Sequence, residues 1–502
     1  MEVTKSIFRE NDIRGTYPEQ LNEYTIGEIG KAIAAKCRKE NIDAISVGRD
    51  GRLSGESLLD AFCDSLVNSG INVTNVGLVT SPMLYFEAKI NNSKSGIIIT
   101  GSHNPKNHNG LKMVIDDKPV SGTEVLALIE GMKSETFRRG TLQFKDIKEE
   151  YLRKVTESIS ILNPEKYKVV IDCGNGAAGC IAPELFKKVG CEVIELFSEV
   201  DGNFPNHHPD PSKLENMEDL IKSVKNNNAD LGLAFDGDGD RVGLITNTGE
   251  NIFPDKYMMM LSENILSQQP GPIVFDVKCS NHLDELIAKN NGVPVMAPTG
   301  HFHIKRAIKE NNALLGGEMS GHIFFNDKWY GFDDGPYSGA RIIEALSEYQ
   351  GNKSISDIMK TYPESFSTPE LNIDVTDENK FQIVEKFITA EQVKGCFPKN
   401  IILQDAAPCK CYPFINVKGA IKPYDNNVVL IGDSASSKLY KNGIGAAYIT
   451  GRAAAKAAKH ILQDKKGKKR SCKDGEEPKK KKQKPNSDNA KVLSDKTAAS
   501  KC

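Results

Sequence analysis

This 502-residue sequence predicts three related α/β domains built on mixed or parallel sheets, then a smaller C-terminal α+β domain and a disordered basic tail. Three observations predict it. One plan recurs three times: an apolar strand, a polar or glycine loop, an amphipathic helix, a glycine and a second strand. The length exceeds what one hydrophobic core supports, so three or four domains of about 100–150 residues are expected. Finally, hydrophobic residues almost vanish after Leu462 while the charge turns positive.

The first copy of the plan runs from Ala44 to Gly77, the second from Lys168 to Phe197 and the third from Pro272 to Gly300. Runs rich in Val and Ile, joined by a helix of about three turns, are the pattern of βαβ units in a parallel sheet. Recurrence at roughly 100–125 residues is too coarse for a solenoid. The domains are therefore placed at 1–153, 154–255, 256–366 and 367–462, with the tail at 463–502. Ligands of such sheets gather at the carboxyl ends of strands, so chemistry belongs on the loops there.

Composition excludes several classes. With 39% hydrophobic and 26% charged residues the chain reads as an ordinary globular protein. No apolar run approaches the ~18 residues of a membrane span, and the N-terminal MEVTKSIFRE lacks a signal-peptide core. Eleven scattered cysteines fit a reduced, cytoplasmic protein, and Cys409-x-Cys411 has no second pair or nearby histidine to make a metal site. The tail carries 14 Lys or Arg against 6 Asp or Glu, a charge of +8; the net −2 of the whole chain leaves −10 for the rest. Such a tail reads first as a solvated segment and only second as a nuclear-import or nucleic-acid element.

The first chemical motif is Thr100-Gly101-Ser102-His103-Asn104-Pro105, which follows the apolar strand Ser95–Ile99 and leads to Asn109-Gly110-Leu111-Lys112. Gly, Asn and Pro bend the backbone, so the Ser102 hydroxyl is expected to stand out at a strand end. With an imidazole beside it and an ammonium ten residues on, it suits phosphoryl transfer. Read alone, Ser-His-Asn-Pro is equally a turn with a capping serine.

The sharpest signal is Asp236-Gly237-Asp238-Gly239-Asp240-Arg241, ahead of the strand Val242–Thr246. Three carboxylates at alternate positions repel strongly unless a cation sits among them, and hard oxygen ligands select Mg²⁺ or Ca²⁺. An EF-hand loop fails, because its sixth and twelfth positions would be Arg241 and Asn247. Upstream, His207 and His208 read as part of a structural loop rather than a metal site. A third motif, Gly316-Gly317-Glu318-Met319-Ser320-Gly321-His322, offers a carboxylate and a hydroxyl two residues apart, suited to neighbouring sugar hydroxyls or, read alone, to a tight turn.

TGSHNPKNHNGLKM, FDGDGDR and GGEMSGH, in this order and shared among three repeated domains, resemble the α-D-phosphohexomutases, the phosphomannomutase/phosphoglucomutase family, over about residues 5–390. GEMSGH points to the mannose/glucose branch. The resemblance implies a phosphoserine at Ser102 and Mg²⁺ held by Asp236, Asp238 and Asp240 with the Ser102 oxygen. It implies interconversion of hexose 1- and 6-phosphates through a 1,6-bisphosphate, with glucose or mannose 1,6-bisphosphate as activator. Lys112, Arg14 and His301 would move protons and stabilise charge, whereas Glu318, Ser320, Lys278, Arg241 and His322 would bind substrate. Arg14 lies in Phe8–Gly15, where the family usually has an aromatic in place of Asn11; alone, a salt bridge with Asp12 is the simpler reading. Arg52, in Gly48–Gly55, is the candidate for gripping the phosphoserine side. A hexose phosphate is thus the expected partner, with no membrane and with nucleic acid disfavoured, in a monomer or dimer.

The resemblance breaks after Lys380-Phe381. The family's Arg-x-Ser-x-Thr-type phosphate loop does not follow, which opens an alternative: an impaired, mutase-like binding protein. Instead Asn427–Ala435 and Lys441–Ala447 resemble the C-terminal flavin-contacting segment of FAD-dependent oxidoreductases, without the Gly-x-Gly-x-x-Gly fingerprint such enzymes need.

Overall fold

The structure, a computed structural model, describes residues 3–9, 12–132, 137–349, 351 and 353–363, together with two strand fragments near 424–429. It divides into two units, Met1–Ser367 and Thr368–Cys502. In the second unit only β17 (Tyr424–Asp425) and β18 (Val428–Val429) are described, as an antiparallel pair. The expected C-terminal domain, the flavin-like segments, Cys409-x-Cys411 and the basic tail otherwise lie outside the described residues.

In the first unit, the opening domain contains β1 (Ile13–Thr16), α1 (Glu23–Lys39), β2 (Ala44–Arg49), α2 (Gly55–Asn68), β3 (Asn72–Leu78), α3 (Ser81–Ile90) and β4 (Gly96–Ile99). It continues with β5 (His108–Ile115), β6 (Lys118–Pro119), α4 (Gly122–Gly131) and β7 (Leu142–Phe144). Next come α5 (Lys148–Ser158), β8 (Lys168–Asp172), α6 (Ala182–Lys188), β9 (Glu192–Leu196), α7 (Glu218–Asn227), β10 (Leu231–Phe235), β11 (Val242–Thr246) and β12 (Asn251–Ile252). The third domain has α8 (Pro254–Gln268), β13 (Pro272–Asp276), α9 (Asn281–Lys289), β14 (Val293–Ala297) and α10 (His301–Asn311). It closes with β15 (Leu315–Gly317), β16 (Ile323–Phe325), α11 (Gly335–Glu348) and α12 (Ile355–Met359).

Each repeated stretch forms its parallel strand pair: β2 with β3, β8 with β9, β13 with β14. The repeat reaches further than the sequence suggested. In all three sheets the first strand of the pair has a second parallel neighbour (β4, β10 or β15), which then turns back into an antiparallel partner (β5, β11 or β16). The strand orders β3-β2-β4-β5, β9-β8-β10-β11 and β14-β13-β15-β16 are therefore the same. The three chemical motifs are the turns of these equivalent hairpins, not the loops that follow the first strand of each pair. Gly316 and Gly317, expected in a loop, belong to β15.

The domains share apolar packing. α11 is buried along nearly its whole length, as a helix between layers must be. Beside it, Trp329 stacks on Tyr337 with ring centroids 4.5 Å apart and on Phe86 of α3 at 5.9 Å. Asp334 caps α11 by accepting the Tyr337 N–H at 3.0 Å, and also accepts Tyr151 Oη–H at 2.9 Å and Trp329 Nε1–H at 3.2 Å. Two segments far apart in sequence, α5 and residues 329–337, thus meet on one buried carboxyl. Burial pushes the Asp334 carboxyl up to about 7, against the pull of those donors.

That rise has a sign. The protonated form stabilises the fold below the ordinary carboxylate pKa, and the contribution is lost as pH climbs through about 7. A rise from about 4 to about 7 corresponds to roughly 4 kcal/mol at most. Urea midpoints are expected to fall between about pH 5 and about pH 9 more steeply for the wild type than for Asp334→Asn. Parallel falls in the two proteins would assign the dependence to another group. Among the described residues, no helix is long and apolar enough to cross a membrane.

Candidate active site

The three hairpin turns converge. Ser102, in the β4–β5 turn, has a left-handed φ of +49° and is buried rather than standing out as expected. Its Oγ donates to Asp236 Oδ2 at 3.0 Å and lies 3.3 Å from His103 Nδ1. The close approach requires glycine at 237, where a Cβ would sit 2.3 Å from the Ser102 carbonyl oxygen. Arg241 of the second turn forms a backbone bridge with His322 of the third, and the Val242 N–H donates to Gly321 O at 3.1 Å.

Asp236, Asp238 and Asp240 are all fully buried, with one oxygen of each within 4.8 Å of the others. Asp236 Oδ1 accepts the N–H groups of Asp240 and Arg241 at 3.0 and 3.1 Å. Asp238 Oδ2 accepts Ser81 Oγ–H at 2.5 Å, while its Oδ1 is buried without a hydrogen-bond partner. A cation does stand among the carboxylates: Lys112 Nζ donates to Asp238 Oδ2 at 2.7 Å and to Asp240 Oδ2. Burial opposes that charge, but Asp238 and Asp240 outweigh it and hold the Lys112 ammonium well above its usual range. Burial, Asp240 and Asp238 push Asp236 well up. Burial also acts against Asp240, yet Lys112 and His322 keep it well below the carboxylate range. The orphaned oxygen and the all-oxygen donor set fit a hard divalent cation.

On the sugar side, His322 Nδ1 lies 3.0 Å from Glu318 Oε2 and 2.9 Å from Ser320 Oγ, and its Nε2 lies 3.1 Å from Asp240 Oδ1. Burial opposes its charge, but Asp240 and Glu318 raise it to about 9, so the ring is an imidazolium joining the second and third turns. His301, at the start of α10, is the opposite. Burial, Lys305 and Lys112 hold it well below its usual range, so it is neutral. Its Nδ1 has no hydrogen-bond partner and lies 3.9 Å from Asp333 Oδ2, whose Oδ1 pairs with Lys305 Nζ at 2.6 Å.

Arg14, on β1, donates to Asp12 Oδ2 at 2.6 Å, the simpler reading of its motif, and also reaches Asn104 Oδ1 of the Ser102 turn at 3.3 Å. Lys278 sits half-buried past β13, two residues from Asp276. Arg52 lies on the serine side of the site: its N–H groups point at Asp50 and at backbone carbonyls of the Ser102 turn, not toward the serine hydroxyl. His207 and His208 serve the loop, pairing with Asp172 and with the His103 carbonyl. Ser81 and Asp333 fall in Thr80-Ser81-Pro82 and Trp329–Gly335, segments that resemble the family's loops, but the sequence assigns neither a role of its own, and Lys305 is not marked at all. Thr80-Ser81-Pro82 carries no chemical signal of its own, and Lys305 is one charge on an amphipathic helix.

Comparison with known proteins decides the family. The phosphoglucomutase/phosphomannomutase α/β/α domains I, II and III match residues 5–139, 149–249 and 253–366. The chain belongs to this family. A phosphomannomutase/phosphoglucomutase of Pseudomonas syringae pathovar tomato is 48% identical over 409 residues, covering 79% of this chain and 87% of that protein. A phosphoglucomutase of Neisseria gonorrhoeae is 43% identical over 399 residues, covering 78% and 86%. The crystal structure of a phosphoglucomutase/phosphomannomutase family protein from Burkholderia thailandensis superposes with a TM-score of 0.70 at 41% identity, covering 73% of this chain and 82% of that one. The match to domain II begins at residue 149, and α5 spans Lys148–Ser158.

Proposed function

We propose that this chain is a phosphohexomutase that interconverts the 1- and 6-phosphates of mannose or glucose in the cytoplasm. The observation that carries it is the meeting of three equivalent turns at one point, with Ser102 Oγ 3.0 Å from Asp236. Phosphorylated Ser102 gives its phosphoryl group to a sugar oxygen; the P–O bond to Oγ breaks as the bond to the sugar forms. The resulting 1,6-bisphosphate reorients beside the Ser102 turn and returns its other phosphoryl group to Ser102. Neutral His301 takes the proton of the attacking sugar hydroxyl, and Arg14 balances charge over the serine turn. Lys112 steadies Asp238 and Asp240. Glu318 and Ser320, braced by His322, receive sugar hydroxyls, with Lys278 and Arg241 at the substrate's flanks.

Asp236, Asp238 and Asp240, with Ser102 Oγ, would hold Mg²⁺, which neutralises phosphoryl charge during transfer. The test is turnover of glucose 1-phosphate and mannose 1-phosphate by the purified chain with Mg²⁺. Each is run with and without the matching 1,6-bisphosphate and followed by phosphorus NMR. Formation of the 6-phosphate, accelerated by bisphosphate, is expected. Absence of turnover with both sugars would overturn the proposal.

A further inference from the structure

The turn that carries Ser102 is a stretch of irregular backbone, yet it holds a non-glycine residue in the left-handed region. Such a conformation is strained for an L residue and persists only where surroundings over-determine it. Here the surroundings are largely one side chain. Arg52 Nη2 donates to Ser102 O at 2.8 Å and Asn104 O at 2.7 Å; Nη1 donates to Pro105 O at 2.6 Å and His108 O at 2.8 Å. Nε faces Asp50 Oδ2 at 3.3 Å. All five guanidinium donors are used, four of them on carbonyls of a single turn.

Arg52 is 1% exposed, and its own placement is set from below. Asp50 Oδ1 accepts the Arg52 backbone N–H at 3.0 Å, while Oδ2 also accepts Thr100 Oγ1–H at 2.7 Å and Gly101 N–H at 3.1 Å. Phe204 lies beneath the guanidinium at 5.5 Å. Gly101 completes the fit: a Cβ there would stand 2.3 Å from Arg52 Cζ and Nε, so the planar group and the turn leave no room between them.

We propose that Arg52 is a positioning residue for phosphoryl transfer. Its planar fork locks the Ser102 turn in the conformation that presents Oγ to the carboxylate cluster, and lysine cannot replace it. This rests on the reading of Ser102 as the phosphoryl carrier. A lysine brings three donors radiating from one nitrogen, which cannot reach four carbonyls spread along the turn. Because those carbonyls all belong to residues 102–108, loss of the fork loosens this turn and leaves the β10–β11 turn in place.

The test uses the full-length chain as wild type, Arg52→Lys, Gly101→Ala and the double variant. Turnover and amide hydrogen exchange are both measured. Arg52→Lys is expected to lower kcat about 100-fold with little change in KM, the cost of misplacing a reacting atom by about 1 Å. Exchange in peptides covering 100–110 is expected to quicken roughly tenfold while peptides covering 231–246 keep wild-type exchange. Gly101→Ala, which pushes the guanidinium out, is expected to reproduce both effects. The double variant should be no slower than the worse single one, since both changes release the same clamp. A kcat within about threefold of wild type in folded Arg52→Lys overturns the proposal. So does exchange that rises equally in both peptide sets. If the wild type itself turns over neither sugar, the functional reading falls, and exchange alone still decides whether Arg52 holds the turn.

Discussion

Ser102→Ala is expected to lose its capacity to carry a phosphoryl group and to turn over at least about a thousandfold more slowly, the scale seen when a covalent nucleophile is removed. Ser81, also at the cluster, donates to Asp238 Oδ2 from the first turn of α3, whereas Ser102 Oγ donates to Asp236 Oδ2 from the β4–β5 turn and has His103 Nδ1 beside it at 3.3 Å. The fold should survive, because the turn is held through the Ser102 backbone: its N–H donates to Thr100 Oγ1 at 2.8 Å and its carbonyl accepts from Arg52. Intact mass after incubation with glucose 1,6-bisphosphate is the measurement. The wild type should gain one phosphoryl group and Ser102→Ala none. An equal adduct on the variant would move the nucleophile elsewhere.

The second large effect concerns stability. Lys112→Met is expected to lower the unfolding free energy by about 3–5 kcal/mol in buffer containing a chelator, the usual cost of removing one partner from a buried ion pair. Lys112 projects from β5, opposite Ile98 of β4, and is buried with its ammonium on Asp238 and Asp240. Without it three buried carboxylates face one another. Mg²⁺ should therefore stabilise the variant more than the wild type, since a ligand that binds only the folded chain adds stability with its concentration. Thermal melts with and without Mg²⁺ decide it. Equal midpoints for the two proteins in chelator would mean that Lys112 is not the counter-charge. The pairing also changes an expectation drawn from the motif alone, in which bare carboxylates repel: the ammonium already offsets that repulsion.

Much of the site is legible in the sequence alone. Alternate Asp residues separated by glycine announce a cation site, because so compact a set of like charges is costly otherwise. Glycine, serine and asparagine after an apolar strand announce a turn at a strand end. The burial of Ser102 was not legible, nor was the use of Arg52. A guanidinium in a polar loop reads as a phosphate ligand until the four carbonyls it serves are seen, and those lie about 50 residues further along the chain. The opposite charge states of His301 and His322 were equally hidden. They depend on burial and then Lys305 at one ring, and at the other on Asp240 with Glu318 working against burial.

By itself, then, the sequence determined the class of fold, the threefold repeat and the residue types of each motif, because apolar periodicity and turn chemistry act between near neighbours. Only the tertiary structure decided that the three motifs are equivalent hairpin turns meeting at one place. It also decided which charges neutralise which. Electrostatic pairing is set by separation in space and by burial, and neither Lys112 against Asp240 nor Asp334 against Tyr151 is close along the chain.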